Sequence, residues 1–377
     1  MNTSRRAFVR GISAFSAAAA AASELLRSAS AAPVEAIGAR EADSIGTRWR
    51  NLAGSPVLDS LRPVIEHSRD VYTHVDKIVA VAQWMTYEDL PMPELSVPYG
   101  LAKDPIVAMD FIMVTTTIDS AFTDFKTHVK FQVDYEGQIR SDSDGMLACL
   151  KRAMDNGIPI LDGKFLAALT RPQMEKIFAG NIEMPMLDEK LQNFRDVGKV
   201  LAGRYDGYFH NFIQSCPPKL YDNGKGLVDR LVTEFPRFND VSQYDGHEIK
   251  FYKLAQLGYW GIYSGLHSTN TLPLVDIGKM TAFADYIIPV GLQLLGIISY
   301  SPALEHAIHS YQLIPRDSAQ EIEIRAHSLY ATALLAEEIN KIRPANLQII
   351  IPQIDARLWS HYHTTFWPHH LTKTIMY

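Results

Sequence analysis

The sequence predicts a mainly α-helical single domain with at most a small β hairpin or sheet. In several segments apolar residues recur at three- and four-residue steps, which is the spacing of one buried helix face. Only two short segments carry the alternating or β-branched pattern of strands. With 47% apolar residues, the 377-residue chain can bury a core without help from metals or disulfides, and Cys149 and Cys216 are its only cysteines.

Four segments carry the helical signals. Thr170 and Gln173 form a capping-box pattern that predicts a short helix over Met174 to Phe178. Residues 187–202 and 225–235 are periodic in the same way. Ser318 and Glu321 form a second capping box, and the core-facing helix predicted after it has its apolar stripe at Ile322, Ala326, Leu329, Ala333, Ala336 and Ile339.

Two segments carry strand signals. Residues Lys130 to Tyr135 alternate loosely between polar and apolar side chains. Residues Leu347 to Ile351 form a β-branched run that ends at Pro352. They predict two short strands and no extended sheet.

Residues 1–31 are predicted to be a targeting segment, and residues 32–377 the folded domain. Arg5 and Arg6 precede an apolar stretch, Gly11 to Ala22, that is too short to span a bilayer. This pattern favours a twin-arginine export signal, with cleavage after Ala29-Ser30-Ala31, and so a periplasmic protein. An organellar transit peptide is the alternative, since the segment is rich in Arg, Ser and Ala, and a cytoplasmic location also stays open.

Composition and motifs exclude several classes of protein. A net charge of −6 without a basic stripe argues against a protein that binds duplex nucleic acid. The chain lacks the P-loop, dinucleotide-binding and serine-hydrolase motifs. The C-terminal histidines lie among aromatic residues with no carboxylate between them, so no metal or other cofactor is predicted there: His361, His363, His369 and His370.

Four segments, taken in order, resemble the queuosine salvage family. The first runs from Lys151-Arg152-Ala153 to Gly157-Ile158-Pro159-Ile160, and the second from Phe235-Pro236-Arg237-Phe238-Asn239-Asp240 to Phe251-Tyr252-Lys253-Leu254-Ala255-Gln256. The third is Phe283-Ala284-Asp285-Tyr286, and the fourth is Glu321-Ile322-Glu323-Ile324-Arg325. Weaker matches extend from Glu66-His67-Ser68 to Met376-Tyr377, so the resemblance covers nearly all of the chain after residue 40.

The resemblance implies a helical fold akin to the DNA glycosylases and hydrolysis of the N-glycosidic bond of queuosine 5′-phosphate. Such a reaction passes through a sugar with oxocarbenium character, so a carboxylate is needed near the anomeric carbon. Asp285 matches the family's catalytic Asp and lies in an apolar stretch where little water would screen its charge. A cap for the following helix, or an ion pair with Arg325, is the alternative role for Asp285.

The other candidates are substrate-binding residues. Lys253 precedes Asp285 at the family's interval, and we expect it to bind the phosphate or the sugar hydroxyls, because a cation beside the developing positive charge would be unfavourable. Tyr286, Tyr208 and Phe209 are expected at the base, and Asp240 at its polar edge or amino-linked ring. His67 is included on the weak N-terminal match.

Two segments depart from the family's pattern. Asp119 to Thr123 replaces an Asn-Phe-x-Phe-Trp sequence, and Ser143 to Leu147 replaces a Gly-Tyr-Trp-Ser-Leu sequence. Lost aromatic groups beside a retained Asp and Lys suggest that bond breaking survives while base recognition has changed. A divergent exported nucleoside hydrolase and a binding protein without catalysis are therefore alternatives. In each case the protein is expected to be a monomer that binds a small nucleotide or nucleoside and does not insert stably into a membrane.

Overall fold

One long helix, Ala319–Ile342, lies at the centre of the protein. The computed structural model describes residues 50, 52, 54–92 and 97–377. Residues 47–377 form one compact unit. The α-helices of the described residues are α1 (Pro56–Ser60), α2 (Arg62–His67), α3 (Val75–Met85), α4 (Pro105–Thr116), α5 (Asp142–Asp155), α6 (Gly163–Ala168), α7 (Arg171–Ile177), α8 (Leu187–Arg204), α9 (Phe209–Gln214), α10 (Leu227–Glu234), α11 (Lys253–Gly265), α12 (Ile288–Leu294), α13 (Pro302–His309), α14 (Ala319–Ile342) and α15 (Ile351–Tyr362).

The β structure of the described residues consists of antiparallel two-stranded pairs. The strands are β1 (Val71–Thr73), β2 (Gln132–Tyr135), β3 (Gln138–Ser141), β4 (Val241–Tyr244), β5 (His247–Lys250) and β6 (Ile298–Tyr300). Strand β1 pairs with β6, β2 with β3 and β4 with β5. The mainly α fold class is confirmed, as is the strand predicted between residues 130 and 135. The number of strand pairs is larger than expected, because the hairpin β4–β5 and the long-range pair β1–β6 are too short to show a clear alternation.

Helix α14 is buried on every face, not only along the predicted apolar stripe. Its start is as predicted: the hydroxyl of Ser318 accepts the N–H of Glu321 at 3.3 Å. The polar residues that face inward find partners within the protein, which avoids the cost of an unpaired buried group. His327, for example, contacts the hydroxyls of Thr73 at 2.7 Å and Ser68 at 2.8 Å.

The remaining helix predictions are confirmed, with small shifts at the ends. Helix α7 begins after Thr170, whose N–H donates to the side chain of Gln173 at 2.8 Å. Helices α8 and α10 cover the two other periodic segments. The buried aliphatic side chains of these helices belong to one large core cluster.

The strand predicted over Leu347 to Ile351 is wrong. A 3₁₀ turn ends at Leu347, and α15 begins at Ile351 with Pro352 in its first turn. Proline fits the first turn of a helix because its missing N–H would have no intrahelical partner there. Pro352 therefore starts a helix here and does not end a strand.

The predicted targeting segment, residues 1–31, and the start of the domain at residue 32 lie outside the described residues. Within the part of the chain that the structure describes, no helix combines the length and apolar character needed to cross a membrane. The likeness to the DNA glycosylases stays a prediction.

Candidate active site

Three helices fix the irregular segment that carries Asp285. The side chain of Gln256, from α11, accepts the N–H of Thr281 at 2.9 Å and donates to its hydroxyl at 2.9 Å. The carboxylate of Asp355, from α15, accepts the N–H of Phe283 at 2.8 Å. Arg325, from α14, donates to the carbonyl of Ala284 at 3.3 Å. Side chains of three helices thus form hydrogen bonds with backbone groups of this irregular segment that have no partner in a helix or strand. These bonds fix the segment in place.

One carboxylate oxygen of Asp285 has no hydrogen-bond partner among the described residues. Its Oδ1 accepts the N–H groups of Ile287 at 2.8 Å and Ile288 at 3.0 Å, at the start of α12. No donor among the described residues bonds to Oδ2, and the side chain is partly exposed. Burial raises the pKa of Asp285, while the nearby Lys253 ammonium and the two N–H groups oppose that rise. Asp285 is therefore partly exposed, while its surroundings disfavour the charged form; the side chains around this carboxylate are called the recess here.

Lys253 is the cation whose charge acts most strongly on Asp285. Lys253 is the first residue of α11 and is only 7% exposed, yet within the described residues its Nζ has no hydrogen bond or ion pair. Its charge acts on both Asp285 and Asp355, whose pKa values it lowers. An ammonium with no partner among the described residues can bind an anion by charge-assisted hydrogen bonds, so this arrangement favours an anion-binding role.

Asp355 is a second carboxylate in the recess, and the sequence analysis missed it. The residue is 6% exposed. Burial raises the pKa of Asp355 well above its ordinary value, and the charge of Asp285 raises it further, against the Phe283 N–H and Lys253. Burial and the charge of Asp285 both favour the protonated form of Asp355, which makes Asp355 a candidate acid.

A buried ion pair positions both Asp285 and Lys253. The guanidinium of Arg325 donates to the two carboxylate oxygens of Asp240 at 3.0 and 2.5 Å, and it lies between the rings of Phe251 and Tyr377 at 3.9 and 4.6 Å. Asp240 also accepts the backbone N–H of Lys253 at 3.3 Å. Because Arg325 binds the peptide before Asp285 as well, the Arg325–Asp240 pair couples the backbones of both site residues.

Tyr286 and His369 form one wall of the recess. Their rings lie 4.5 Å apart at 33°. The Nδ1 of His369 is 2.8 Å from the carbonyl of His370, which assigns the proton to Nδ1 and leaves Nε2 as an acceptor. The recess is defined from here on as Asp285, Lys253, Asp355, Tyr286 and His369.

The sequence profile of the family described as "Queuosine salvage protein" matches residues 101–377. The chain belongs to the queuosine salvage family. It is 30% identical over 325 residues to a protein of Sphaerobacter thermophilus, covering 85% of this chain and 97% of that protein.

Animal members of the queuosine salvage family are similar to this chain to nearly the same degree. The identity is 28% to a protein of Bos taurus, over 74% of this chain and 83% of the relative. It is 27% to a protein of Mus musculus, over 80% of this chain and 91% of the relative. All three relatives are named queuosine 5′-phosphate N-glycosylase/hydrolase.

Burial and Asp285 raise the pKa of Tyr286, and smaller contributions come from Asp119, in the first segment that departs from the family pattern, and Asp142, which directly precedes the second. The first segment is held by Lys190, whose Nζ donates to the carbonyls of Ala121 at 2.8 Å and Pro185 at 2.9 Å. Lys190 is fully buried, no carboxylate of the described residues pairs with it, and burial lowers its pKa to about 7.

Several residues expected at the substrate have other roles in the structure. The carboxylate of Asp240 is 2% exposed and occupied by Arg325, so it positions the site from behind and offers no free edge to a base. Phe209 is fully buried and stacks on Phe235 at 5.5 Å. Such complete burial leaves the ring no surface for a ligand, because its faces are already in the core.

Tyr208 and His67 are not brought into the recess by any contact of their side chains. Tyr208 is half-buried, and its ring stacks on His210 at 5.3 Å. The side chain of His67 is exposed at the end of α2, and its carbonyl accepts the hydroxyl of Tyr244 at 3.1 Å. Their roles in substrate binding stay predictions.

The C-terminal histidines have separate partners. His363 stacks on Trp359 at 4.4 Å, and His370 contacts the hydroxyl of Tyr377 at 3.2 Å, while His369 lies on Tyr286. Among the described residues, no group of three or more His, Cys, Asp or Glu side chains is arranged to hold a metal ion.

A helical interpretation of residues 351–362 would have revealed Asp355. In α15 it lies four residues after Ile351 and three before Leu358, so it shares their inward face. A lone acid on an apolar face is a signal for a functional carboxyl group. The signal was hidden because Leu347 to Ile351 were interpreted as a strand.

Proposed function

We propose that this protein hydrolyses the N-glycosidic bond of queuosine 5′-phosphate and releases queuine, which can then be salvaged for tRNA modification. The observation that carries the proposal is the carboxylate of Asp285, whose Oδ1 is fixed by two backbone N–H groups and whose Oδ2 has no donor among the described residues. The ammonium of Lys253, which has no hydrogen bond or ion pair among those residues, acts on its charge. The names of the relatives support the choice of substrate.

Asp285 stabilises the positive charge that develops on the sugar as the bond breaks. Its two backbone N–H bonds fix the carboxylate in place before the reaction, so no reorganisation is needed in the transition state. Partial dehydration in the recess strengthens its interaction with the cation. Sugar stabilisation matters more for this base than for a purine, because a 7-deazapurine lacks the ring nitrogen that purine hydrolases protonate.

Lys253 binds the 5′-phosphate, and Asp355 is the acid at the leaving base. A phosphate can give the Lys253 ammonium the charge-assisted hydrogen bonds that the described residues do not. Asp355 can keep its proton near neutral pH because burial raises its pKa. Tyr286, at 37% exposure, offers an aromatic surface at the mouth of the recess for the base.

The decisive experiment is an assay for released base. The purified protein is incubated with queuosine 5′-phosphate, queuosine, guanosine and guanosine 5′-phosphate, and the products are separated by chromatography and identified by mass. The proposal predicts queuine from queuosine 5′-phosphate at a rate well above that from the other three compounds. Faster release from a common nucleoside would instead establish a divergent nucleoside hydrolase, and tight binding without release would establish a binding protein.

The predicted export signal and monomeric state complete the proposal. From the sequence of residues 1–31 alone, we propose export by the twin-arginine route. Residues 1–45 fused to a reporter should direct it to the periplasm, and replacing Arg5 and Arg6 by Lys should prevent this. Light scattering on the purified protein should give the mass of one chain.

A further inference from the structure

We propose that His369 is the general base that takes a proton from the attacking water. The inference rests on the proposed function and assigns the one step that Asp285, Lys253 and Asp355 leave open. Two contacts of the His369 ring and its charge environment support this role.

The first is the bond that fixes the tautomer of His369. Because Nδ1 donates to the carbonyl of His370 at 2.8 Å, the lone pair of the neutral ring is on Nε2. No described residue bonds to Nε2, and the side chain is partly exposed. The ring thus presents a single, oriented proton acceptor to whatever enters the recess.

The second is the stacking of His369 on Tyr286, with centroids 4.5 Å apart. Tyr286 directly follows Asp285 in the chain, so the stack brings the imidazole to the segment that carries the carboxylate. Burial lowers the pKa of His369, and the charge of Asp285 opposes that change.

The third is the charge environment. Burial lowers the pKa of His369, so the ring is neutral and able to accept a proton in the physiological range. The charged and titratable groups that face it are Asp285, Lys130 and His370, besides the stacked Tyr286. Once His369 is protonated, Asp285 stabilises the imidazolium.

A separate base is needed because Asp285 cannot serve both roles at once. Taking the proton of the water would neutralise its carboxylate at the moment when the sugar carries positive charge. With His369 as the base, the step balances. The water oxygen bonds to the anomeric carbon, and the water proton moves to Nε2 of His369. The C–N bond breaks with its electron pair going to the base, which takes the proton of Asp355. The imidazolium then returns a proton to Asp355 through solvent.

The test uses His369→Phe, which keeps a ring for stacking on Tyr286 and removes the acceptor nitrogen. His363→Phe is the matched control, because His363 also stacks on an aromatic ring and also places Nδ1 near backbone carbonyls, but lies exposed at the end of α15. With queuosine 5′-phosphate, His369→Phe should lower kcat by about 10²- to 10⁴-fold, while KM changes by less than about threefold. His363→Phe should match the wild type.

The pH profile gives a readout that a structural role would not change. In the wild type, kcat should fall as the pH drops and His369 becomes protonated, and this acid limb should be missing from the residual activity of His369→Phe. His369→Gln, which can accept a hydrogen bond from water but not its proton, should be as slow as His369→Phe. Wild-type kcat in either variant, or a retained acid limb, overturns this inference alone. Absence of base release by the wild-type protein overturns the proposed function as well.

Discussion

Replacing Asp240 by Ala should destabilise the protein strongly and should also disorganise the active site. Asp240 and Arg325 form a bidentate ion pair at 3.0 and 2.5 Å, and their side chains are 3% and 2% exposed. Removing one partner from such a pair leaves a buried charge without compensation, which typically costs about 3–5 kcal/mol.

The structure places the expected loss near the lower end of that range. Arg325 would keep Glu321 at 3.6 Å, the carbonyl of Ala284 and its two aromatic neighbours. We therefore expect the free energy of unfolding to fall by about 3 kcal/mol, and less for Asp240→Asn, which keeps one acceptor. The midpoint of urea unfolding, followed by circular dichroism, measures the change.

The matched control is Glu66→Gln, which breaks the exposed pair between Arg62 and Glu66. Exposed pairs contribute about 0–1 kcal/mol, so this variant should unfold nearly like the wild type. Base release by Asp240→Ala should also fall in the folded protein, because the peptide before Asp285 and the N–H of Lys253 lose their common support. An Asp240→Ala protein that unfolds within about 1 kcal/mol of the wild type would refute the reasoning.

Three other residues give further predictions. Asp355→Asn keeps the bond to Phe283 but cannot transfer a proton, so kcat should fall by about 10²-fold or more. The wild-type rate should decline at high pH as Asp355 loses its proton, and this decline should be absent in Asp355→Asn. An unchanged pH–rate profile would remove Asp355 as the acid. Lys253→Met should raise KM for the nucleotide about ten- to hundredfold, with Lys250→Met as the control, and equal KM values in both would contradict phosphate binding. Burial lowers the pKa of Lys190 to about 7 in the folded protein, whereas an unfolded lysine has a pKa of about 10.4. Between these two pH values the unfolded chain binds more protons than the folded protein, so the free energy of unfolding should rise with pH. That rise, at most about 1.4 kcal/mol per pH unit, should be absent in Lys190→Met, and denaturant midpoints measured from pH 7 to 10 check it.

The sequence predicted those features that depend on local pattern. The capping residues Thr170 and Ser318 mark the starts of their helices, and the apolar period predicts one buried face of α14, although its other faces are buried as well. Asp285 and Lys253 were predicted from family motifs, and their roles in catalysis and substrate binding stay predictions. The strand prediction at Leu347 failed because the run joins the end of a 3₁₀ turn at Leu347 to the start of α15 at Ile351, and Pro352 acts as a first-turn residue because the residues after it are helical.

Features that the sequence could not predict depend on contacts between distant parts of the chain. In the sequence, Asp240 has the appearance of an available acid. In the structure, Arg325 of α14 forms hydrogen bonds with both of its carboxylate oxygens. The motif that contains Glu323 looks like a possible substrate site, yet its carboxylate accepts three backbone N–H groups, those of Arg69, Asp70 and Val71. The family motifs thus contain residues that support the fold beside residues that face the recess, and only the packing separates them.

The most direct measurement is single-turnover release of queuine from queuosine 5′-phosphate by Asp285→Asn, compared with the wild type. Asn keeps the size of the side chain and an oxygen for the N–H groups of Ile287 and Ile288, so the fold should be retained, as circular dichroism can verify. The negative charge beside the anomeric carbon is lost, and the rate should fall by about 10³-fold or more. A folded Asp285→Asn protein that releases queuine at the wild-type rate would show that this carboxylate does not take part in breaking the bond.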